Sequence, residues 1–234
     1  MSEKLWEVYA SCYDAISHLA PYQEMMVEIV DRANLQDGME ILDAGCGTGN
    51  LIKEIINRQV RVKIVAVDFS KAMLKRARRK ITHPMVEFRK VDLRDTMPFA
   101  DDSFDVIFCI NVLYALPNVR KTISEFTRLL RNKGKLIIVD PQETAQFMKI
   151  FWSHFTHPRV AVVKRLSIFR PDIFAKLILT GIVNILIDRK ARQKRWTYRS
   201  RCQWLHLLSS FGKVDILPIY ASQHWLIVAI KEPK

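Results

Sequence analysis

The segment Ile41-Leu-Asp-Ala-Gly-Cys-Gly-Thr-Gly-Asn50 constrains this chain more than any other. A short apolar run ends in an acid, glycines follow at positions 45, 47 and 49, and an amphipathic stretch opens at Asn50. Glycines allow positive φ and the close approach of a ligand to the backbone. A loop of this kind belongs between a strand and the helix it opens, and the flanks agree. Met39–Asp43 predicts a strand and Asn50–Gln59 a helix. Val62–Asp68, Val86–Val91, Phe104–Ile110 and Gly134–Val139 predict further strands, with helices at Lys71–Ile81 and Val119–Leu130 between them. Strands nearly continuous in Val and Ile that alternate with helices form a parallel sheet covered on both faces.

The remainder frames this core. Residues 3–33 carry apolar side chains at helical spacing, with a break at Pro21. A segment of apolar and basic residues, 142–196, shows no strand and reads as an insertion at the carboxyl ends of the strands, where such sheets bind ligands. A helix at Arg199–Phe211 and strands at Val214–Tyr220 and His224–Ile230 close the chain. The expectation is one α/β domain with a Rossmann-like, seven-stranded, mostly parallel sheet and an antiparallel final strand. Its parts are a helical cap (1–36), a ligand-binding core (37–141), an insertion or lid (142–196) and a closing unit (197–234).

The spacing at the loop is GxGxG, not the GxGxxG of a dinucleotide site, and Asp43 stands where it would repel a pyrophosphate. A carboxylate there suits a ligand with a cationic amino acid end. Asp68 ends the second strand 19 residues after Gly49, placed to accept from both hydroxyls of a ribose. Phe69 and Met73 follow with apolar surface for an adenine. Asp92-Leu93 ends the third strand and Asn111 the fourth, so all converge on one crevice.

The stretches ILDAGCGTGN, VAVDFSKAML, VDLRDTMPFADDSFDVIFCINVLYAL and LLRNKGKLIIVDP resemble, in that order, the class I S-adenosylmethionine-dependent methyltransferases. The likeness covers about 37–141 and is greatest to the small-molecule group containing the ubiquinone and menaquinone C-methyltransferases. It implies S-adenosylmethionine as cofactor. The loop residues Gly45, Cys46 and Gly47 would lie at its methionine part, Asp68 at its ribose and Asp92 with Leu93 at its adenine. Asn111 would lie beside the transferable methyl, and an aromatic residue of the cap, Tyr13 or Tyr9, would close the site.

Such transfer is an in-line displacement that depends chiefly on proximity and orientation; a base is needed where the acceptor loses a proton. His154 and His157 in the insertion are the candidate bases, with His206 and His224 behind them. Their three-residue spacing would suit a metal, but a third ligand is not evident and no metal site is expected. Cys12, Cys46, Cys109 and Cys202 form no CxxC pair, and the start MSEKLWEVYASCYD lacks a signal-peptide pattern. A reducing, cytoplasmic setting is expected.

Charge bears on the acceptor. Residues 1–140 hold 21 basic and 19 acidic side chains, and residues 141–234 hold 16 and 5. Within the insertion Asp172–Asp188 reads as a helix capped by Asp172, with one polar stripe of Asp172, Lys176, Thr180, Asn184 and Asp188. Lys164, Arg165 and Arg170 precede it and Arg189-Lys-Ala-Arg-Gln-Lys-Arg195 follows, with Trp196 and Tyr198 beyond. An apolar helix flanked by bases and aromatics suits an anionic membrane surface met through 164–198. The expected reaction is methyl transfer to a lipophilic or membrane-associated small molecule, a prenylated quinol or a phospholipid head group, at the inner face of the membrane. The alternatives are a soluble natural product or small amine with the insertion as a lid, and an RNA read through the basic region. Nucleic acid is disfavoured because Asn111-Val-Leu-Tyr114 stands where base-amino methyltransferases of this fold carry Asn/Asp-Pro-Pro-aromatic. Homo-oligomerisation is left open.

Overall fold

The structure, a computed structural model, describes residues 3–142, 147–156, 167–193 and 198–233. Two helices, α1 (Glu3–Cys12) and α2 (Ala20–Ala33), are joined by a 3₁₀ segment, Tyr13–His18, and Pro21 sits in the first turn of α2, where its missing amide costs nothing. The core follows as β1 (Glu40–Ala44), α3 (Asn50–Asn57), β2 (Lys63–Asp68), α4 (Lys71–Lys80), β3 (Val86–Lys90), β4 (Phe104–Ile110), α5 (Val119–Leu129) and β5 (Leu130–Pro141). The insertion contributes α6 (Phe147–Thr156) and a long α7 (Pro171–Gln193). Helix α8 (Arg201–Leu207) and strands β6 (Phe211–Ile219) and β7 (His224–Lys231) complete the chain.

The seven strands lie in the order β3-β2-β1-β4-β5-β7-β6, with β7 antiparallel to both its neighbours and every other pair parallel. The chain winds outward from β1 to β3, then returns to the other side of β1 as β4. The carboxyl ends of β1 and β4 are thus the switch point, where a crevice opens in any sheet wound this way. Alternate side chains serve two cores. Ile41, Val106, Phe108 and Ile137 face the side covered by α2, α3, α6 and α7, and Leu42, Ile107, Cys109 and Ile138 face α5 and α8. The helical cap and the insertion therefore share one face, above the switch point.

Some expected bounds change; the closing helix ends at Leu207, and Phe211, expected in it, begins β6. Strand β5 begins at Leu130 rather than Gly134, because an irregular pairing (Phe104 with Leu130, then Val106 with Lys135) absorbs the extra residues. Helix α7 starts at Pro171, whose fixed φ suits a first helical position. Asp172 is therefore a first-turn acid, paired with Arg170 at 3.3 Å, and not the cap. His157, Lys164, Arg165 and residues 194–197 lie outside the described residues.

Candidate functional site

The glycine loop hangs from the end of β1. The Gly45 and Cys46 amides donate to the Val67 carbonyl at 2.8 and 2.9 Å, which folds the loop back over β2. The fold-back requires positive φ at Gly45 (+87°), where a side chain would run into Val112. The Gly47 amide donates to Asp68 Oδ2 at 2.9 Å and the Ser70 amide to Oδ1 at 2.8 Å, so one carboxylate sets both the loop and the start of α4.

Asp68 and Asp43 are both buried. Burial pushes Asp68 up to about 6, opposed by the Ser70, Gly47 and Phe69 amides. Burial and the charge of Asp68 push Asp43 up to about 7. Asp43 Oδ2 and Asn111 Oδ1 have no hydrogen-bond partner among the described residues. Positive φ backbone, two adjacent carboxylates and unpartnered acceptors form a cradle for a cationic ligand, not for a phosphate.

A network ties the cap to this loop. Lys80 Nζ donates to Asp14 Oδ1 (2.8 Å), Asn50 Oδ1 (2.6 Å) and Thr48 Oγ1 (3.2 Å), while Thr48 Oγ1 donates to Asp14 at 2.5 Å. Asn50 Nδ2 donates to the Tyr22 hydroxyl at 3.1 Å. Lys80, exposed at the end of α4, thus reaches across from that helix to both the cap and the loop.

The crevice continues into a cavity of about 700 Å³. At the loop end it is lined by Gly45, Gly47, Asp68, Phe69, Met73, Asp92, Leu93 and Asn111. All six tyrosines of the chain, at 9, 13, 22, 114, 198 and 220, also line it. Tyr9 meets Tyr13 edge-on at 5.1 Å, Tyr22 meets Tyr220 at 6.0 Å, and Tyr114 stacks on Tyr198 at 6.2 Å. Desolvation holds the Tyr9 and Tyr13 hydroxyls well above the ordinary tyrosine pKa, so both stay protonated. His224 closes the tyrosine end, its ring 5.0 Å from Tyr220. Its Nδ1 is buried with no partner among the described residues, and burial pushes the imidazole down to about 3, so it is neutral.

Not every expected residue reaches the cavity wall. Cys46 packs its side chain into the core on the cap side, and Asp43 lies beneath the loop. The Asp92 carboxylate is engaged by the Arg94 guanidinium at 2.5 Å, which holds its pKa below the ordinary value, so an adenine amine would compete with an ion pair. His154, a candidate base, is fully buried away from the cavity, where its Nδ1 accepts from the Ala20 amide at 3.0 Å at the start of α2. Among the described residues, the imidazole that lines the cavity is His224. The last strand gave no local signal of this, since a single His at a strand start reads equally well as structural.

The residues fit the expected cofactor. Gly47 leaves open space where a Cβ would stand, Asp68 lines the cavity beside it, and Asp43 with Asn111 carries buried oxygens still without donors.

Known proteins point the same way. Residues 35–196 match the family model described as a methyltransferase domain. The chain is similar to a phosphatidylethanolamine N-methyltransferase of Cereibacter sphaeroides, 29% identical over 59% of this chain and 66% of that one. It is also similar to a demethylmenaquinone methyltransferase of Symbiobacterium thermophilum, 26% identical over 65% of each chain. It thus spans just under two thirds of these relatives. A solved S-adenosylmethionine-dependent methyltransferase from Aquifex aeolicus shares the fold with a TM-score of 0.57, at 16% identity over 93% of this chain and 92% of that one. With its family model covering well over half of its length, this chain belongs to the methyltransferase-domain family.

Proposed function

We propose that this chain transfers a methyl group from S-adenosylmethionine to a lipophilic small molecule bearing an ionisable hydroxyl or amine, a prenylated quinol or a phospholipid head group. One observation carries the reading. A single cavity joins the glycine loop to a far end walled by tyrosines, and the charged side chains lining it among the described residues are Asp68, Asp92 and Arg94, all at the loop end. An uncharged aromatic wall favours an apolar acceptor. The names of the two curated relatives, phosphatidylethanolamine and demethylmenaquinone methyltransferases, support acceptors with long apolar chains.

When bound, the cofactor supplies an electrophilic methyl on sulfur. The protein's part is to hold two reactants in line and keep water out, which in favourable intramolecular systems is worth roughly 7–11 kcal/mol. The six tyrosines do the second, and Asp68 with the loop does the first. An acceptor that loses a proton on methylation needs somewhere to put it, and among the described residues the neutral imidazole of His224 lines the tyrosine end of the cavity.

The test uses S-adenosylmethionine labelled on the methyl, with three acceptor pools: extracted membrane lipids, water-soluble metabolites and total RNA. Label is expected in the organic phase of the lipid reaction and is lost with Asp68→Ala. Label confined to the aqueous pool or to RNA would overturn the acceptor class.

A further inference from the structure

Helix α7 is amphipathic the wrong way round for a lid in water. Its inner face carries polar groups: Thr180 Oγ1 donates to the Cys12 carbonyl at 3.1 Å, and Asn184 Oδ1 accepts from the Tyr9 hydroxyl at 2.8 Å. Thr180 is wholly buried, alongside Ile173, Leu177 and Val183. Of the expected polar stripe, Thr180 and Asn184 thus point into the protein. The outward face is left to Ile178 (50% exposed), Ile182 (50%), Ile185 (54%) and Leu186 (41%).

This face is one end of a longer ridge. At the start of the helix Phe174 touches Phe169 at 5.8 Å, Phe169 touches Phe155 at 5.8 Å, and Phe155 touches Trp152 at 6.0 Å. Trp152 is 60% and Phe169 49% exposed. Because residues four apart on a helix are neighbours, Phe174, Ile178, Ile182 and Leu186 extend the same line for roughly 18 Å. Isolated exposed apolar residues need no explanation, but a contiguous ridge of this kind marks a surface that meets something apolar.

The charge identifies what it meets. Arg170 and Lys176 are exposed at the near end of α7, and the sequence places Arg189, Lys190 and Arg192 in its last turns. These belong to the part of the chain holding 16 basic against 5 acidic residues. Two copies meeting through this face would bring like charges together. A nucleic acid would leave the apolar ridge without use. A bilayer with anionic head groups satisfies both features, since aliphatic side chains and an interfacial tryptophan sink to the acyl boundary while bases stay among the head groups. No helix among the described residues is long and apolar enough to cross a membrane, so the contact is one of lying on the surface.

The geometry points to α7 and the Trp152–Phe169 aromatics as an interfacial docking face for an anionic lipid bilayer. Gly181, Asn184 and Ile185 of the same helix also line the cavity. A docked α7 therefore sets the cavity wall against the lipid. This holds whatever the acceptor is.

Vesicle sedimentation tests it on the full chain, comparing phosphatidylcholine with mixed phosphatidylcholine and phosphatidylglycerol. Wild type is expected to pellet with the mixed vesicles, less so as salt rises, and weakly with phosphatidylcholine alone. Ile178→Ser/Ile182→Ser, at positions off the cavity, should weaken the anionic binding by on the order of tenfold. Arg189→Gln/Lys190→Gln/Arg192→Gln should weaken it similarly and flatten its salt dependence. Unchanged melting and S-adenosylmethionine affinity show that the variants fold; should one fail to fold, the wild-type vesicle comparison decides alone. Absence of an anionic preference, binding untouched by both folded variants, or a concentration-dependent dimer abolished by the double serine variant would overturn the proposal.

Discussion

Substituting Gly45 by alanine tests the loop geometry at its tightest point. Gly45 has φ +87°, and a Cβ there would overlap the Cγ2 methyl of Val112 and meet the other two carbons of that side chain at 3.4 Å. Two costs follow. A non-glycine residue in left-handed backbone costs about 1–2 kcal/mol, and overpacking costs about 1–3 kcal/mol. For a chain of this length each kcal/mol lowers Tm by about 2–4 °C, so Gly45→Ala should melt on the order of 5–15 °C below wild type. The two costs are separable, because Val112→Ala removes the obstructing methyls without touching the backbone. In a thermal-unfolding cycle of wild type, both single variants and the double variant, the double should be more stable than additivity predicts by about 1–3 kcal/mol. Additive single effects would show that the loop yields elsewhere. An unshifted Tm for Gly45→Ala would refute the reading that positive φ and the approach of Val112 shape the site.

Protonation gives a second handle. Because burial raises Asp43 to about 7 and Asp68 to about 6, above the ordinary value of 3.8, both hold protons in the folded chain that the unfolded chain has released. Their contribution to stability therefore falls as pH rises from about 4 to about 7 in the ligand-free protein. A cofactor with a cationic end favours the ionised carboxylates, so its affinity should fall as pH drops from 8 to 6. Calorimetry in two buffers of different ionisation enthalpy should show net proton release, and proton uptake would contradict the cradle. His224→Phe should cut methyl transfer by on the order of 10²-fold while leaving S-adenosylmethionine affinity unchanged. Since burial keeps His224 neutral, with its pKa pushed down to about 3, it should give the wild-type rate profile no limb near the ordinary histidine pKa. Full activity in His224→Phe would remove it from the acceptor end.

The parts of the molecule built from local pattern were legible before any coordinates. The β1 to α3 loop, Asp68 and Asn111 announce themselves because strand, turn and helix chemistry are written within a few residues of each other. What was not legible depends on tertiary placement. Six tyrosines spread from position 9 to 220 gave no sign of meeting in one cavity. Periodicity revealed that α7 has a polar stripe, yet it could not say which way the stripe faces, because the hydrogen bonds from Thr180 to Cys12 and from Tyr9 to Asn184 overrode the usual rule of polar side chains outward. His154 and His224 were indistinguishable as letters; one ended as an acceptor for a helix amide and the other against the cavity. Asp172 read as a cap because Asp often is one, but Pro171 already occupied the first turn.

The two contacts that fasten α7, Tyr9 to Asn184 and Cys12 to Thr180, span 175 and 168 residues of sequence. On the ribosome the amino-terminal helices therefore emerge long before the wall they lean on exists. At roughly 5–20 residues per second, the central sheet can assemble around the glycine loop while that flank is still open. Strands β1 to β5 and the glycine loop are thus made before the wall that α7 adds to the cavity.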